Sequence, residues 1–160
     1  MRRYNKVLFV CEDNTAGSVM AEMICKSMVT DEDVTIESRG MVVLFPEPIN
    51  PKVQIVLTNH GLTVEEDRVA RMLSEEDVTE DTLILTMSIS QKDRILREFD
   101  GTISVYPMLS FIDEEADMQD PYGGTLVDYE DCFVNMSRVV KKIVIKLKKI
   151  YSLQDTETMV

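Results

Sequence analysis

Short apolar runs alternate along this chain with segments whose apolar residues return every three or four positions. Val7-Leu-Phe-Val10 is an unbroken apolar run, and Thr82-Leu-Ile-Leu-Thr-Met87 is nearly one. Both read as buried strands. Residues 34–38 alternate polar and apolar, and 103–106 complete a set of four predicted strands. The helical period predicts helices over 18–28, from Asn50-Pro51 to about 59, over 90–99 and from Leu126 to Ile150. Ser18 stands as the N-cap of the first of these. Asn50 followed by proline opens the second, and Gly61 ends it. Ser74-Glu-Glu-Asp77 has the form of a capping box. Residues 41–48 and 107–112 read as loops, and 152–160 as a polar, frayed tail. Strands alternating with helices specify an α/β chain. Its predicted core is a doubly wound, four-stranded parallel sheet with helices on both faces, and right-handed crossovers place the second strand beside the first. At 160 residues, with no repeat or linker, this is one domain over 1–160 with its core in 5–150.

Composition narrows the function classes. Apolar residues make up 44% and charged residues 29%, which is the balance of a soluble globular protein. A net charge of −12 argues against nucleic acid and against anionic membrane surfaces as partners. No apolar stretch is long enough to span a bilayer, and the run behind the N-terminal arginines is too short for a signal peptide. The three cysteines show no metal-ligand spacing and suit a reducing, cytoplasmic setting. The 11 methionines read as core filling. His60, the only histidine, sits in a last helical turn and reads as solvated. Neither a metal nor another cofactor is implied. Lysines crowd the end of the long helix, where they complement its dipole.

The chemistry concentrates at 7–18. A buried strand runs through Cys11 into a loop of small and polar residues and then into a helix. In such a loop the backbone N–H groups and the helix N-terminus converge on one point that favours an anion. The same dipoles depress the pKa of a cysteine at the first loop position. Cys11 therefore reads as a nucleophilic sulfur on the floor of an oxyanion or phosphate cradle. A buried structural cysteine at a strand end fits the spacing equally well.

Val10-Cys-Glu-Asp-Asn-Thr-Ala-Gly-Ser-Val19 resembles the Val-Cys-x-Gly-Asn-x-Cys-Arg-Ser-Pro loop of the low-molecular-weight protein tyrosine phosphatases. Further matches follow in the same order: Ser38-Arg-Gly40 for Ser-Ala-Gly, Arg68-Val-Ala-Arg-Met-Leu73 for His-Arg-Ala-Arg-Gln-Leu, Leu83-Ile-Leu-Thr-Met87 for Leu-Ile-Leu-x-Met, and Asp120-Pro-Tyr-Gly-Gly124 for the general-acid loop of bacterial members. The resemblance implies that Cys11 is the nucleophile, Ser18 the hydroxyl that steadies its thiolate, and Asp120 the general acid. It implies that residues Glu12, Asp13, Asn14, Thr15, Ala16 and Gly17 form the phosphate-binding loop, with Ser38 holding Asn14. Phe45, on the loop at 41–48, and Tyr122 would wall the substrate pocket. Read without the resemblance, Asp120-Pro-Tyr-Gly-Gly is a good turn.

The loop departs from the family at four positions. The phosphate-binding arginine is Gly17, the glycine Asp13, the second cysteine Ala16 and the proline Val19. Three readings follow. The first is a family member whose phosphatase activity is lost or very weak, acting by binding a phosphorylated protein, an inorganic anion or a protein partner. The second is an active phosphatase working through a cysteinyl-phosphate on Cys11, with Arg39 as substitute cation. Its substrate would be phosphotyrosine or phosphoarginine, since the arginine phosphatases of the family carry threonine at the Thr15 position. The third is a thiol redox role for Cys11 resembling arsenate reductases, which needs a resolving cysteine from Cys25 or Cys132.

Overall fold

A computed structural model describes residues 3–101 and 103–158, with side chains as far as 151. Four parallel strands form one sheet in the order β2-β1-β3-β4: β1 Lys6–Cys11, β2 Thr35–Gly40, β3 Thr82–Thr86 and β4 Ser104–Pro107. The helices are α1 Gly17–Met28, α2 Pro51–Asn59, α3 Ile89–Glu98, the single turn α4 Met108–Phe111, and α5 Leu126–Thr158. Central β1 is apolar from Val7 to Cys11 because both of its faces are covered there. Val7, Phe9 and Cys11 join the larger core with α1, α2 and α5. Leu8 and Val10 join the smaller one with Ile84, Ile95 and Leu73. Cys11 ends β1 on the larger-core side, at the carboxyl edge of the sheet, where open α/β sheets place their ligands.

Several local features differ from the sequence reading. The stretch 107–112 is not all loop: Pro107 ends β4 and Met108–Phe111 forms the single turn α4. Ser18 does not cap α1; the helix begins one residue earlier, Ala16 holds the cap position, and no side chain caps it. The Ser18 hydroxyl turns instead to Cys11. Strand β2 continues to Gly40, which pairs with Cys11. A Cβ at Gly40 would stand 2.9 Å from the Asp13 carbonyl carbon and 3.1 Å from the Asn14 nitrogen, so glycine is what lets β2 abut the loop. The backbone at 152–158 is helical rather than frayed. Immediately before this stretch, the Tyr151 hydroxyl donates to the Tyr4 carbonyl at 2.9 Å and ties α5 to the start of the domain. Residues 159–160 lie outside the described residues.

His60 likewise has partners. Its Nε2 lies 2.6 Å from Glu130 Oε1, and its ring stacks on Phe133 at 4.1 Å, so it joins α2 to α5. Asn50 caps α2 as its sequence indicates, accepting from the Lys52 N–H at 2.9 Å. The capping box at Ser74 is present and starts one 3₁₀ turn, Glu75–Asp77.

Candidate active site

The loop after β1 is held by a connected set of hydrogen bonds. Cys11 Sγ and Ser18 Oγ are 2.9 Å apart. Asn14 is fully buried, and its Nδ2 donates to Ser18 Oγ and to Ser38 Oγ, each at 2.9 Å. Ser38 in turn donates to Glu22 Oε1 at 2.5 Å. The expected support of Asn14 by Ser38 is therefore in place. Asn14 is also the loop residue in the left-handed region, at φ 61°. Asp13, which replaces a glycine, is not, so its substitution does not strain the backbone there.

Arg68 is the residue that sequence reasoning missed. Its Nη1 donates to the Asn14 carbonyl at 2.9 Å, and its Nη2 to Asn14 Oδ1 at 2.8 Å and to Ser38 Oγ at 3.3 Å. The available signal was a guanidinium in the Arg68-to-Leu73 segment at the place where the similar segment has histidine.

Arg39 is not a cation of this loop. Strand alternation turns its side chain away from Ser38's side. Nε and Nη2 donate to the two Asp77 oxygens at 3.1 and 3.2 Å, and Nη2 also reaches Glu37 Oε2 at 2.5 Å. Burial raises the pKa of Asp77, but the Ser74 N–H and Arg39 outweigh it and hold that carboxyl below its ordinary range. A lowered carboxylate contributes stability above its unfolded pKa of ~4, and the contribution is lost as pH falls through the folded value. Asp77→Asn should therefore cost about 2–3 kcal/mol in urea unfolding at neutral pH. The gap between parent and variant should close as pH is lowered toward ~2. A gap that stays constant over that range would show that this ion pair contributes no net stability.

A cavity of about 580 Å³ opens above Cys11. Its floor is Cys11 with the loop residues Glu12, Asp13, Thr15, Ala16 and Gly17; Asp120 and Tyr122 stand on one side. The structure thus brings the predicted nucleophile and the predicted acid to one cavity, which Tyr129 of α5 and the loop at 47–51 also line. Tyr122 lines it while 81% exposed. Phe45 does not line it. Phe45 and Leu44 are 62% and 86% exposed, and the wall is made by Glu47, Pro48 and Ile49. The cause is the bridge between Pro48 and Val69, with the Ala70 N–H on the Glu47 carbonyl at 2.8 Å, which pins the chain two residues beyond Phe45.

The charge of this cavity is one-sided. Glu12, Asp13, Glu47 and Asp120 line it, and among the described residues no lysine, arginine or histidine does. Glu12 is paired from outside by Arg94, whose Nη1 lies 2.9 and 3.2 Å from its oxygens. The Asp13 carboxylate turns onto its own loop, where Oδ1 accepts from the Thr15 N–H at 3.1 Å and the Thr15 hydroxyl at 2.8 Å. One donor of the cradle is thus already occupied. The expected depression of the Cys11 pKa is not found. Burial pushes the thiol up, past the pull of the Ser18 hydroxyl and the Ser18 and Asn14 N–H groups, and Asp13 adds to the rise. At Gly17 a Cβ would meet the Met87 Cε at 2.7 Å, so a methionine thioether sits where the missing side chain would start. Cys25 is buried in the core, and Cys132 faces the Gln119 carbonyl at 3.8 Å; neither lines the cavity.

The family model described as low molecular weight phosphotyrosine protein phosphatase matches residues 6–153. The low molecular weight protein-tyrosine-phosphatase PtpB of Staphylococcus haemolyticus is 32% identical over 138 residues, covering 86% of this chain and 96% of its own. The crystal structure of a low molecular weight protein tyrosine phosphatase from T. tengcongensis matches with a TM-score of 0.81 at 30% identity, covering 88% of this chain and 98% of that one. The YwlE arginine phosphatase from Geobacillus stearothermophilus shares the fold at a TM-score of 0.80 and 23% identity, over 90% of this chain and 93% of its own.

Proposed function

We propose that this chain, which belongs to the low-molecular-weight phosphotyrosine protein phosphatase family, has kept the family's nucleophile loop while its phosphatase activity is lost or very weak. The observation that carries the reading is the cavity over Cys11, with four carboxylates around it and no cationic side chain among the described residues. Phosphoryl transfer from a dianionic ester loads negative charge onto equatorial oxygens. An arginine that clamps two of them supplies on the order of 10³–10⁵ in rate. Gly17 supplies nothing there. A carboxylate at ~6 Å in an effective dielectric of ~20 opposes a unit charge by roughly 2–3 kcal/mol. Arg94 offsets this for Glu12, but among the described residues no cation pairs with Glu47 or Asp13. The role left to the loop is binding, of a phosphorylated protein or an inorganic anion on the remaining backbone donors, in a cytoplasmic setting.

A second reading rests on what remains. The Cys11, Ser18, Asn14 and Ser38 bonds are intact, and Asp120 shares the cavity with the sulfur. In it, Cys11 attacks phosphorus, Asp120 protonates the leaving atom (the oxygen of phosphotyrosine or the nitrogen of phosphoarginine), and water hydrolyses the cysteinyl-phosphate. Thr15 would favour phosphoarginine, yet its hydroxyl is engaged by Asp13. The redox reading has no second cysteine in the cavity to support it. Hydrolysis of a small aryl phosphate by the parent and by Cys11→Ser separates the readings. The expected result is turnover at or near background in both. Turnover by the parent that disappears in Cys11→Ser would overturn the proposal in favour of the second reading.

A further inference from the structure

The loop at 41–48 holds bulky apolar side chains outward from a pinned base. At one end the Met41 N–H donates to the Cys11 carbonyl and the Val42 N–H to the Glu12 carbonyl, both at 2.9 Å. At the other, Pro48 bridges to Val69, and the Asn50 N–H donates to the Thr15 carbonyl at 3.1 Å. Residues 69–72 run alongside and bridge through Met72 to Gly40. Val42, Leu44, Phe45, Val69 and Met72 are nonetheless each at least 40% exposed. Single exposed apolar residues are ordinary. Five on two hydrogen-bonded segments at the rim of a cavity form a contact surface. Because the base is fixed, little backbone ordering is lost when this surface is covered.

Charge selects what fits there. Glu47 follows Phe45 on the loop, Glu65, Glu66 and Asp67 precede the second segment, and Glu75 and Glu76 follow it; all are exposed. Val69 shares a recess of about 340 Å³ with Glu65 and Asp67. The cations of the second segment are Arg68, which turns inward to Asn14, and the exposed Arg71. On the cavity side, Glu12 and Asp13 continue the acidic rim. An apolar centre with such a rim repels nucleic acid, an anionic lipid surface and a second copy of a chain with net charge −12. It complements a basic segment with an apolar middle.

We propose that Val42, Leu44, Phe45, Val69 and Met72 form a docking surface for another protein, which binds through a segment whose bulky apolar side chains are flanked by lysines or arginines. The proposal adds a partner class to the binding role given above, and it rests on that role only in placing the rest of the partner over the cavity. The same charges answer a difficulty of that role. Among the described residues the cavity holds no cation for a phosphorylated side chain. A partner with basic flanks brings its own cations to the four carboxylates. Glu47, which lines the cavity, donates its N–H to the carbonyl of Phe45, which does not, at 2.8 Å. One bound segment therefore crosses directly from the apolar surface to the cavity.

The test is fluorescence anisotropy of short labelled peptides titrated with the full chain. The probe carries a Leu-Phe pair between runs of lysine and arginine. One control replaces the basic residues by glutamate, a second replaces Leu-Phe by Ser-Ser, and a further peptide adds a phosphotyrosine to the probe. The probe should bind at least about tenfold tighter than either control, and its affinity should fall as salt is raised. Leu44→Ser with Phe45→Ser should weaken it by about tenfold, and so should Glu65→Lys with Glu66→Lys. All four side chains are exposed, so both variants should melt at the temperature of the parent. Equal affinity for the basic and the glutamate peptides, or no effect of the Leu44 and Phe45 changes, would overturn the proposal. Sedimentation of the chain as a dimer that Leu44→Ser with Phe45→Ser dissociates would overturn it too, because the occupant would then be a second copy. An unphosphorylated probe that binds as described, with no gain from the phosphotyrosine, counts against anion binding at the Cys11 loop and supports the docking surface.

Discussion

Gly17→Arg should raise turnover of a small aryl phosphate by about 10³-fold or more over the parent. The substitution returns a guanidinium to the helix-end position of a loop whose other supports are in place. Cys11 and Ser18 are within 2.9 Å, Asn14 is clamped, and Asp120 borders the same cavity. One obstacle is visible. The new Cβ would sit 2.7 Å from Met87 Cε, the far end of a flexible side chain, so the thioether must swing aside. Gly17→Arg with Met87→Ala should therefore be at least as active as the single variant. Adding Asp13→Gly should raise the rate again, because it frees the Thr15 N–H and removes a carboxylate from beside the sulfur. The measurement is kcat/KM for the aryl phosphate in the four proteins. No turnover in any of them would show that the loop's shape, and not a missing cation, has ended the chemistry.

Asn14→Ala should be among the most destabilising single changes in the chain, at about 3–4 kcal/mol in urea unfolding. The side chain is fully buried and bonds to Ser18, Ser38, Arg68 and the Arg71 N–H. Its loss leaves a guanidinium and a backbone N–H with an unfilled acceptor position, each at a desolvation cost of about 1–3 kcal/mol. It also puts alanine at φ 61°, which asparagine tolerates better. Asn14→Asp keeps the acceptor facing Arg68 and should cost less. A loss below about 1 kcal/mol for the alanine variant would mean that water fills the site and that the network is not a stability element.

The expected loss of activity also bears on how much of the site could be read in advance. Cys11 was legible from its place between a strand end and a helix start, and Asn14, Ser18 and Ser38 from the family resemblance; the structure links them by hydrogen bonds. Asp120 and Tyr122 were legible from a five-residue motif, and both reach the cavity. Arg39 was misread because position in a strand says how close a residue lies to the loop, not which face it leaves by. The face is set by pleating, and the Arg39 side chain meets Asp77, 38 residues away. Phe45 was misread for a related reason, since a bridge to Val69 decides which residues of that loop turn inward.

The amino-acid sequence by itself determined the four parallel strands, the helices between them, the placing of the cysteine at the carboxyl edge, and the absence of an arginine at position 17. These follow from period, from capping residues and from residue identity, which are local quantities. Tertiary structure alone decided the sign of the cavity, the raised pKa of Cys11, the turn of Asp13 onto Thr15 and the attachment of Arg68 to Asn14. Each depends on groups far apart in the chain meeting in a medium of low dielectric, where burial and a few ångströms of separation outweigh any local preference.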